Sequence, residues 1–344
     1  MRFGLAAVLL GGVLQGSVFL PMKFTRHWQW ENTWACFSTV AYLCSPWLLA
    51  SLLVPHFPRM LGEVSPRALV ATLLFGSGMA GGVLMMGLAY KYVGMAITFA
   101  IVLGISSSVG TLVPMLVLAP DQVLRHQGLA VIAAVAIALV GTAVVTQAAC
   151  KRDASKKNLG TSVPSESGGS SARQVMIGLA LCIASGLFSS CGNLGFAFGG
   201  QISQRAHDLG AGPTGAASAV WTMILLPVFL CNFTYSLYLL RKNQSGDLFR
   251  EPGTRHYWIW GVLMGIGWMA GMAAYGAGAL SMGKLGTSVG WILFLSSMII
   301  VANALGALTG EWKGAEAKTL AIMAVGIAIL MVAIVVVGTA GTSG

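Results

Sequence analysis

The sequence predicts an all-α integral membrane protein of about ten transmembrane helices, arranged as two inverted repeats of five helices each. Two observations lead to this fold class. Hydrophobic residues make up 56% of the 344-residue chain and charged residues only 9%, whereas an ordinary soluble protein carries about 25% charged residues. The apolar residues also fall into ten runs, which one long hydrophilic stretch divides into two groups of five.

Each apolar run has about the 20 residues that an α-helix needs to cross the hydrocarbon core of a bilayer. The runs lie near 3–20, 33–54, 67–90, 94–119, 128–148, 174–198, 214–240, 257–280, 284–308 and 318–338. The first run resembles a signal peptide, but only Arg2 precedes it and no small-x-small cleavage site lies before Pro21. We therefore expect this run to be retained as the first helix.

The hydrophilic stretch at residues 150–173 is rich in Ser, Lys and Gly, which predicts a flexible linker. The linker separates a first five-helix repeat at residues 1–149 from a second at residues 174–344. Because five is an odd number, the second repeat enters the membrane in the opposite orientation. Inverted repeats with a substrate site at their interface are typical of secondary transporters.

Internal similarity supports the two repeats. A shift of 189 residues carries eight Gly, Ser and Thr residues of the first half onto identical residues of the second half, without a gap. The pairs are Gly76 and Gly265, Gly78 and Gly267, Gly82 and Gly271, Gly87 and Gly276, Gly94 and Gly283, Thr98 and Thr287, Ser107 and Ser296, and Ser108 and Ser297. Glycine is common in this chain, so a single matched pair means little. The argument rests on eight matches within one alignment that needs no gap.

The distribution of basic residues predicts the orientation. With ten helices, the side that carries both termini and the even-numbered loops holds six of the 20 basic residues, namely Arg2, Arg59, Arg67, Arg125, Arg205 and Lys284. The other side holds the remaining 14, which include five in the linker. Because cytoplasmic loops carry an excess of Lys and Arg, we expect the linker in the cytoplasm and both termini outside.

Ionisable side chains lie outside the apolar runs. All ten carboxylates and all five histidines fall in loops or at helix ends, and none forms a cluster with metal-ligand spacing. An intramembrane hydrolase would need its nucleophile or metal ligands within the helices. The six cysteines contain no C-x-x-C pair and behave as small hydrophobic residues. We therefore expect no enzyme activity, no catalytic residue, no metal and no cofactor.

The formal net charge of +10 does not indicate nucleic-acid binding, because the basic residues are scattered between apolar runs rather than gathered on one face. Contact with anionic membrane lipid explains them better. The expected partners are therefore lipid and a small solute, and the oligomeric state is left open.

Uncharged polar and aromatic side chains within the helices are the candidate substrate-binding residues. A polar group that faces lipid is costly, so these side chains should face the interior of the bundle. Aromatic rings beside amides and hydroxyls suit a neutral sugar, whose apolar face packs on a ring while its hydroxyls form hydrogen bonds. The alternative is that the polar groups join helices and the tryptophans anchor the interface. The candidates are Gln15, Asn193, Trp221, Trp268, Tyr275, Trp291, Ser296, Ser297 and Asn303.

The most specific motif is Gly16-Ser17-x-Phe19-x-Pro21-x-Lys23, followed by Trp28-x-Trp30-Glu31-x-x-Trp34. Further matching stretches run from Gly87 to Met95 and from Val109 to Leu112, and Glu311-Trp312 precedes helix ten. With these motifs the chain resembles the L-rhamnose–proton symporter family of the drug/metabolite transporter superfamily. The resemblance implies a drug/metabolite transporter-like fold in the plasma (inner) membrane that imports a 6-deoxyhexose with a proton. Helices eight and nine carry fewer Tyr, Gln and His residues than the family, which leaves the sugar open.

Proton symport needs a titratable group, and the proton gradient would be its energy source. Glu31 matches the family motif and opens helix two among tryptophans, where we expect burial to raise its pKa. Its alternative roles are to interact with the helix dipole or to pair with Lys23. Lys23 could instead gate the cytoplasmic mouth, and Glu311 is a further carboxylate to consider.

Two other functions fit part of the sequence. One is export or exchange of another small metabolite, since the superfamily is diverse. The other is a membrane sensor that binds sugar without moving it, although the inverted repeat has no obvious use in that role. The expected function is secondary active import of a small neutral sugar, L-rhamnose or a related 6-deoxyhexose, by alternating access.

Overall fold

The computed structural model describes residues 2–158 and 172–342, and these residues fold into helices joined by short connections. Ten helices within this part of the chain are long and apolar enough to cross a membrane, which confirms the predicted fold class. They are α1 (Arg2–Ser17), α2 (Trp30–Leu53), α3 (Pro66–Val93), α4 (Met95–Leu118), α5 (His126–Asn158), α6 (Ala172–Phe198), α7 (Pro213–Lys242), α8 (Arg255–Leu280), α9 (Gly286–Leu308) and α10 (Ala317–Thr342).

The first candidate span, Arg2–Phe24, is broken near its C-terminal end. Pro21 has no N–H to donate to the carbonyl of Ser17, and its ring would clash with that carbonyl in a continuous helix. The chain therefore leaves α1 at Ser17 and continues as a 3₁₀ helix at Leu20–Phe24. In α2, the residues Thr39–Cys44 form a π-helical segment inside the helix. Such segments often occur at functional sites.

The odd-numbered connections lie together at one end of the bundle. Lys23, after α1, forms an ion pair with Glu311 of the α9–α10 connection, with 2.6 Å between Nζ and Oε1. Trp28 Nε1 of the α1–α2 connection donates a hydrogen bond to the carbonyl of Leu248 in the α7–α8 connection, at 3.1 Å. We call this end the linker end, because α5 also ends there.

The even-numbered connections lie at the opposite end, which we call the terminal end. Arg205 forms an ion pair with Glu63 of the α2–α3 connection, and its Nε donates to Glu63 Oε2 at 3.0 Å. The hydrogen bond from Arg205, together with the charges of Arg205 and Arg59, holds the pKa of Glu63 below its ordinary value. The two separate sets of contacts agree with ten consecutive crossings of the membrane.

Helix pairs of one half recur in the other half. The pairs α3–α6 and α8–α1 exchange when the two halves are exchanged, as do α4–α6 and α9–α1, and α3–α7 and α8–α2. In the pairs α5–α10, α2–α7 and α4–α9, the same exchange only swaps the two partners, so each pair is converted into itself. A bundle made of two equivalent repeats would show this pattern.

Single contacts repeat as well. The shift of 189 carries α3 and α4 onto α8 and α9, and a shift of 174 carries Gly4, Gly11 and Gly12 onto Gly178, Ser185 and Gly186. Gly11 lies against the carbonyl of Gly271, and Ser185 Oγ donates to the carbonyl of Gly82 at 2.8 Å. The remaining matched contacts are Gly4 with Met282 and Gly178 with Val93, and Gly12 with Phe294 and Gly186 with Ile105.

The turns after α3 and α8 share a backbone conformation. Gly94 has φ of 77° and Gly283 has φ of 76°, and the shift of 189 carries one onto the other. Residues other than glycine rarely adopt this backbone conformation, so the turn itself explains why both positions are glycine. These contacts support the repeat, whose inverted orientation remains a prediction.

The linker differs from the prediction at its beginning. Helix α5 continues to Asn158, so the first residues of the predicted 150–173 segment are helical. The reason is that Ala, Lys and Asp residues at 151–157 tolerate a helix although they are hydrophilic. Helix α6 begins at Ala172, and residues 159–171 lie outside the described part of the chain.

Candidate functional site

A cavity of about 410 Å³ lies between α1, α4, α5, α9 and the α9–α10 connection, and it extends to the linker end. Away from the linker end, its polar lining is uncharged. Gln15 comes from α1, Thr142 and Thr146 from α5, and Asn303 from α9. The larger apolar lining side chains are Phe19, Leu20, Met95, Phe99, Leu103, Met298, Ile299 and Leu305. Both the volume and the mixture of apolar walls with few polar groups are typical of small-molecule sites.

Charged residues of the cavity lining form a connected rim at the linker end. Besides its ion pair with Lys23, Glu311 lies 3.8 Å from Arg152 Nη1, measured at Oε2. Arg152 also pairs with Asp153 at 2.8 Å, and its guanidinium lies 4.8 Å above the ring of the buried Trp312. The rim joins the ends of α1 and α5 to the α9–α10 connection. Lys23 therefore lies at the cavity mouth.

The structure places two of the predicted substrate residues in this cavity. Asn303 Nδ2 donates to the carbonyl of Ile299 at 2.9 Å, within its own helix. Gln15 Oε1 is buried without a hydrogen-bond partner, beside Gly271, where an added Cβ would lie 3.0 Å from this oxygen. The glycine therefore leaves room for the amide of Gln15 between α1 and α8.

Asn193, Tyr275 and Trp291 meet in a second cluster, nearer the terminal end. The hydroxyl of Tyr275 donates to Asn193 Oδ1, and Asn193 Nδ2 donates to the carbonyl of Gly110 at 2.7 Å. Trp291 Nε1 donates to the carbonyl of Ser106 at 3.1 Å. The three side chains are buried, so this cluster joins α4, α6, α8 and α9 in a packed layer.

Trp221 belongs to the same layer. It is fully buried and stacks on Phe196 with 5.1 Å between ring centroids. Its Nε1 has no hydrogen-bond partner, and neither has the buried hydroxyl oxygen of Thr111 in α4. Buried polar groups without a partner cost about 1–3 kcal/mol each, so they need an explanation.

The other predicted substrate residues lie away from the cavity lining. Trp268 packs edge-on against Tyr42 of α2, with 4.9 Å between centroids. Ser297 Oγ donates to the carbonyl of Leu293 in its own helix, where α9 meets Gly12 of α1. Ser296 is buried at 2% exposure. For these three residues, packing between helices describes what the structure shows.

Glu31 lies at the start of α2 and is only 4% exposed. Its Oε1 accepts hydrogen bonds from Asn243 Nδ2 at 2.9 Å and from Ser245 Oγ at 2.7 Å. The suggested pair with Lys23 is wrong, because Lys23 binds Glu311 instead. The expectation that burial raises the pKa of Glu31 left out these two donors, which stabilise the charged form and oppose the effect of burial.

Among the residues that the structure describes, no group of three or more His, Cys, Asp or Glu side chains is placed to hold a metal ion. The described cysteines are free thiols.

The family model described as "L-rhamnose-proton symport protein" matches residues 1–343. The chain belongs to the L-rhamnose-proton symporter family. This family consists of proton-coupled transporters, not enzymes, which agrees with the ten apolar helices.

Three bacterial proteins named L-rhamnose-proton symporter are among those similar to this chain. The Salmonella gallinarum protein is 25% identical over 97% of this chain and 96% of its own length. The Cronobacter sakazakii protein is 26% identical, over 98% of this chain and 97% of its own length. The Klebsiella pneumoniae protein is 24% identical, over 96% of this chain and 95% of its own length. The similarity to these symporters is distant but covers nearly the whole chain.

The sequence did not single out Thr142 and Thr146 as cavity residues of this family member. They are spaced by four residues on α5, so they lie on one face of a mostly apolar part of the helix. That spacing is a usable signal, since a polar stripe on a transmembrane helix should face the protein interior. The hydrophilic composition places Arg152 in the predicted linker, whereas in the structure it lies on α5, whose continuation to Asn158 brings Arg152 to the rim.

Proposed function

We propose that this chain is a secondary active transporter that imports a small neutral sugar, L-rhamnose or a related 6-deoxyhexose, together with protons. Transport occurs by alternating access, in which the two repeats expose one site first to one side of the membrane and then to the other. The proton gradient supplies the energy, and no cofactor takes part. The chain lies in the plasma (inner) membrane, with its linker in the cytoplasm and both termini outside.

One observation carries the proposal. The cavity reaches the linker end, whereas side chains at the terminal end are packed into a buried aromatic and amide layer. A path that is open at one end and closed at the other is the arrangement that alternating access requires.

The lining of the cavity suits a neutral sugar. Gln15, Thr142, Thr146 and Asn303 offer amide and hydroxyl groups for sugar hydroxyls, and the charged groups that line the cavity lie at its rim, where they are paired. A charged solute would meet no unpaired counter-charge in this lining. An apolar wall accommodates the carbon that lacks a hydroxyl in a 6-deoxyhexose.

The buried layer takes part in the other half of the cycle. When the terminal end opens, Asn193, Tyr275, Trp221 and Trp291 become accessible to sugar. The unpaired Nε1 of Trp221 then gains a hydrogen-bond acceptor, which explains why a polar atom is kept buried without a partner. Trp268, Ser296 and Ser297 support this path from behind rather than bind sugar directly.

Glu31 is the proposed proton-coupling residue, since it is the buried carboxylate among the described residues. Lys23 is the proposed gating residue at the cavity mouth, where its ion pair with Glu311 links α1 to the α9–α10 connection. The membrane lipid is the remaining partner, through the exposed apolar side chains of the bundle.

Uptake of radiolabelled L-rhamnose into proteoliposomes with an imposed inward proton gradient tests the proposal. We expect accumulation above the equilibrium level, which collapses when a protonophore is added. Equilibration without accumulation would indicate a facilitator. Binding without entry would indicate a sensor. Accumulation of sugar only when the imposed proton gradient is directed outward would indicate an exporter or exchanger.

A further inference from the structure

Phe19 lies at the break between α1 and the 3₁₀ helix that follows. It precedes the 3₁₀ helix at Leu20–Phe24, whose second residue is Pro21. The ring lines the cavity and remains 44% exposed. A ligand that covers such an apolar side chain in a cavity gains binding free energy, because the contact removes apolar surface from water.

Neighbouring aromatic side chains fix the ring of Phe19 from behind. Trp34 is stacked on it with 5.8 Å between centroids and 17° between ring planes, and Phe37 packs edge-on at 5.6 Å. Trp34 is itself held, since its Nε1 donates to Asn232 Oδ1 at 3.0 Å. Asn232 Nδ2 donates in turn to the carbonyl of Val228 at 2.9 Å. This chain of contacts holds the ring in place before any ligand arrives.

Comparison with the second half of the chain shows that the residue at this position of the repeat can be fully buried by helix packing. The shift of 174 that relates α1 to α6 carries Phe19 onto Asn193. Asn193 is completely buried and hydrogen-bonded in the layer near the terminal end, whereas Phe19 is uncovered at the equivalent place. The exposed aromatic ring is therefore specific to the cavity side of the bundle and is not a feature that the two repeats share.

Uncharged polar groups accompany the ring in the same cavity. Gln15 lies one helical turn earlier on α1, Thr142 and Thr146 lie on α5, and Asn303 lies on α9. An aromatic face together with amide and hydroxyl groups matches a ring-shaped polyol, which has an apolar C–H face and polar edges.

We propose that Phe19 is a substrate-binding residue that stacks on the apolar face of a neutral pyranose and so selects ring-shaped sugars over open-chain polyols. This inference rests on the proposed function and names a specificity residue for it. Gln15, Thr142, Thr146 and Asn303 bind the hydroxyls, while Phe19 supplies affinity that depends on a flat apolar face.

The test compares binding of L-rhamnose and of its open-chain alcohol, L-rhamnitol, to the purified full-length chain. The variants are Phe19→Leu, which removes the aromatic face, and Phe19→Tyr, which keeps it. Phe24→Leu is the matched control, since Phe24 is 52% exposed, packs on Trp260 and lies outside the cavity lining. Thermal unfolding without sugar shows that each variant is folded.

We expect Phe19→Leu to weaken L-rhamnose binding about tenfold while leaving L-rhamnitol binding within about twofold, so that the preference for the ring is lost. Phe19→Tyr and Phe24→Leu should retain the preference of the wild-type chain. An unchanged preference in folded Phe19→Leu overturns the proposal, as does equal loss of preference in Phe19→Tyr. If L-rhamnose accumulates in proteoliposomes while the preference is unchanged, the function stands and only the role of Phe19 is wrong. A wild-type chain that neither binds nor transports sugar contradicts both.

Discussion

Glu31 combines burial with two hydrogen-bond donors, and this combination makes its role testable. Glu31→Gln keeps the shape of the side chain but removes the titrating group. If Glu31 carries the proton, uptake driven by a proton gradient should fall by at least about tenfold. Exchange of internal for external sugar should persist, because exchange moves no net protons. Both modes are measured on one preparation of proteoliposomes.

Asn243→Ala and Ser245→Ala serve as controls, since each removes one donor to Glu31 and keeps the carboxylate. If Glu31 only stabilises the start of α2, its loss costs about 0.3–1 kcal/mol of stability, and both transport modes change together. A Glu31→Gln variant that still concentrates sugar against its gradient would remove Glu31 as the coupling residue. Glu311 would then be the next carboxylate to test, because it lines the cavity.

The sequence predicted the placement of some polar side chains in the bundle interior, but it did not predict which groups they contact. The polarity of Gln15 and Asn303 within apolar runs predicted that they face the interior of the bundle, and both line the cavity there. The partner of Lys23 was not predictable, because Glu311 lies 288 positions away and only the folded bundle brings the two together. Likewise, the donors to Glu31 come from the end of α7 and the connection after it, which no local pattern connects to α2.

At the scale of helices, the repeat glycines have a measurable packing role. A Cβ added at Gly76 of α3 would overlap the carbonyl oxygen of Ile224 in α7, whereas one added at Gly81 meets no atom within 4 Å. We expect Gly76→Ala to destabilise the chain by about 1–3 kcal/mol, because overpacking displaces a backbone. Gly81→Ala should be neutral or slightly stabilising, since alanine favours a helix.

The thermal midpoint of each glycine variant in detergent measures the difference, and Gly265→Ala extends the test to the second half. Gly265 is the repeat equivalent of Gly76 and lies against Val40 of α2. Equal midpoints for Gly76→Ala and Gly81→Ala would mean that the close approach of α3 and α7 is not needed for stability.

The ten helices were predictable from the apolar runs, and their details were not. Length and hydropathy gave each span, because crossing a bilayer imposes both. The π-helical segment at Thr39–Cys44 depends on tertiary packing that the runs do not encode. The helical continuation of α5 to Asn158 was missed because hydrophilic composition suggested a loop.

At the scale of the whole molecule, the charge distribution predicts that the linker lies in the cytoplasm. In a chain otherwise free of cysteine, a Cys placed at Ser167, which lies outside the described residues, should not react with an impermeant reagent in intact cells. Thr146→Cys in the cavity, which is open at the linker end, should react in inside-out vesicles. Ready labelling of the Cys at position 167 from outside would overturn the orientation.

The central claim is that sugar and proton enter together, and proton movement driven by sugar tests it most directly. The purified chain is placed in proteoliposomes that contain a pH-sensitive dye, with the membrane potential clamped and no imposed pH gradient. Adding L-rhamnose outside should then acidify the interior, and protein-free liposomes should show no change. Entry of labelled L-rhamnose without any change of internal pH would contradict proton symport.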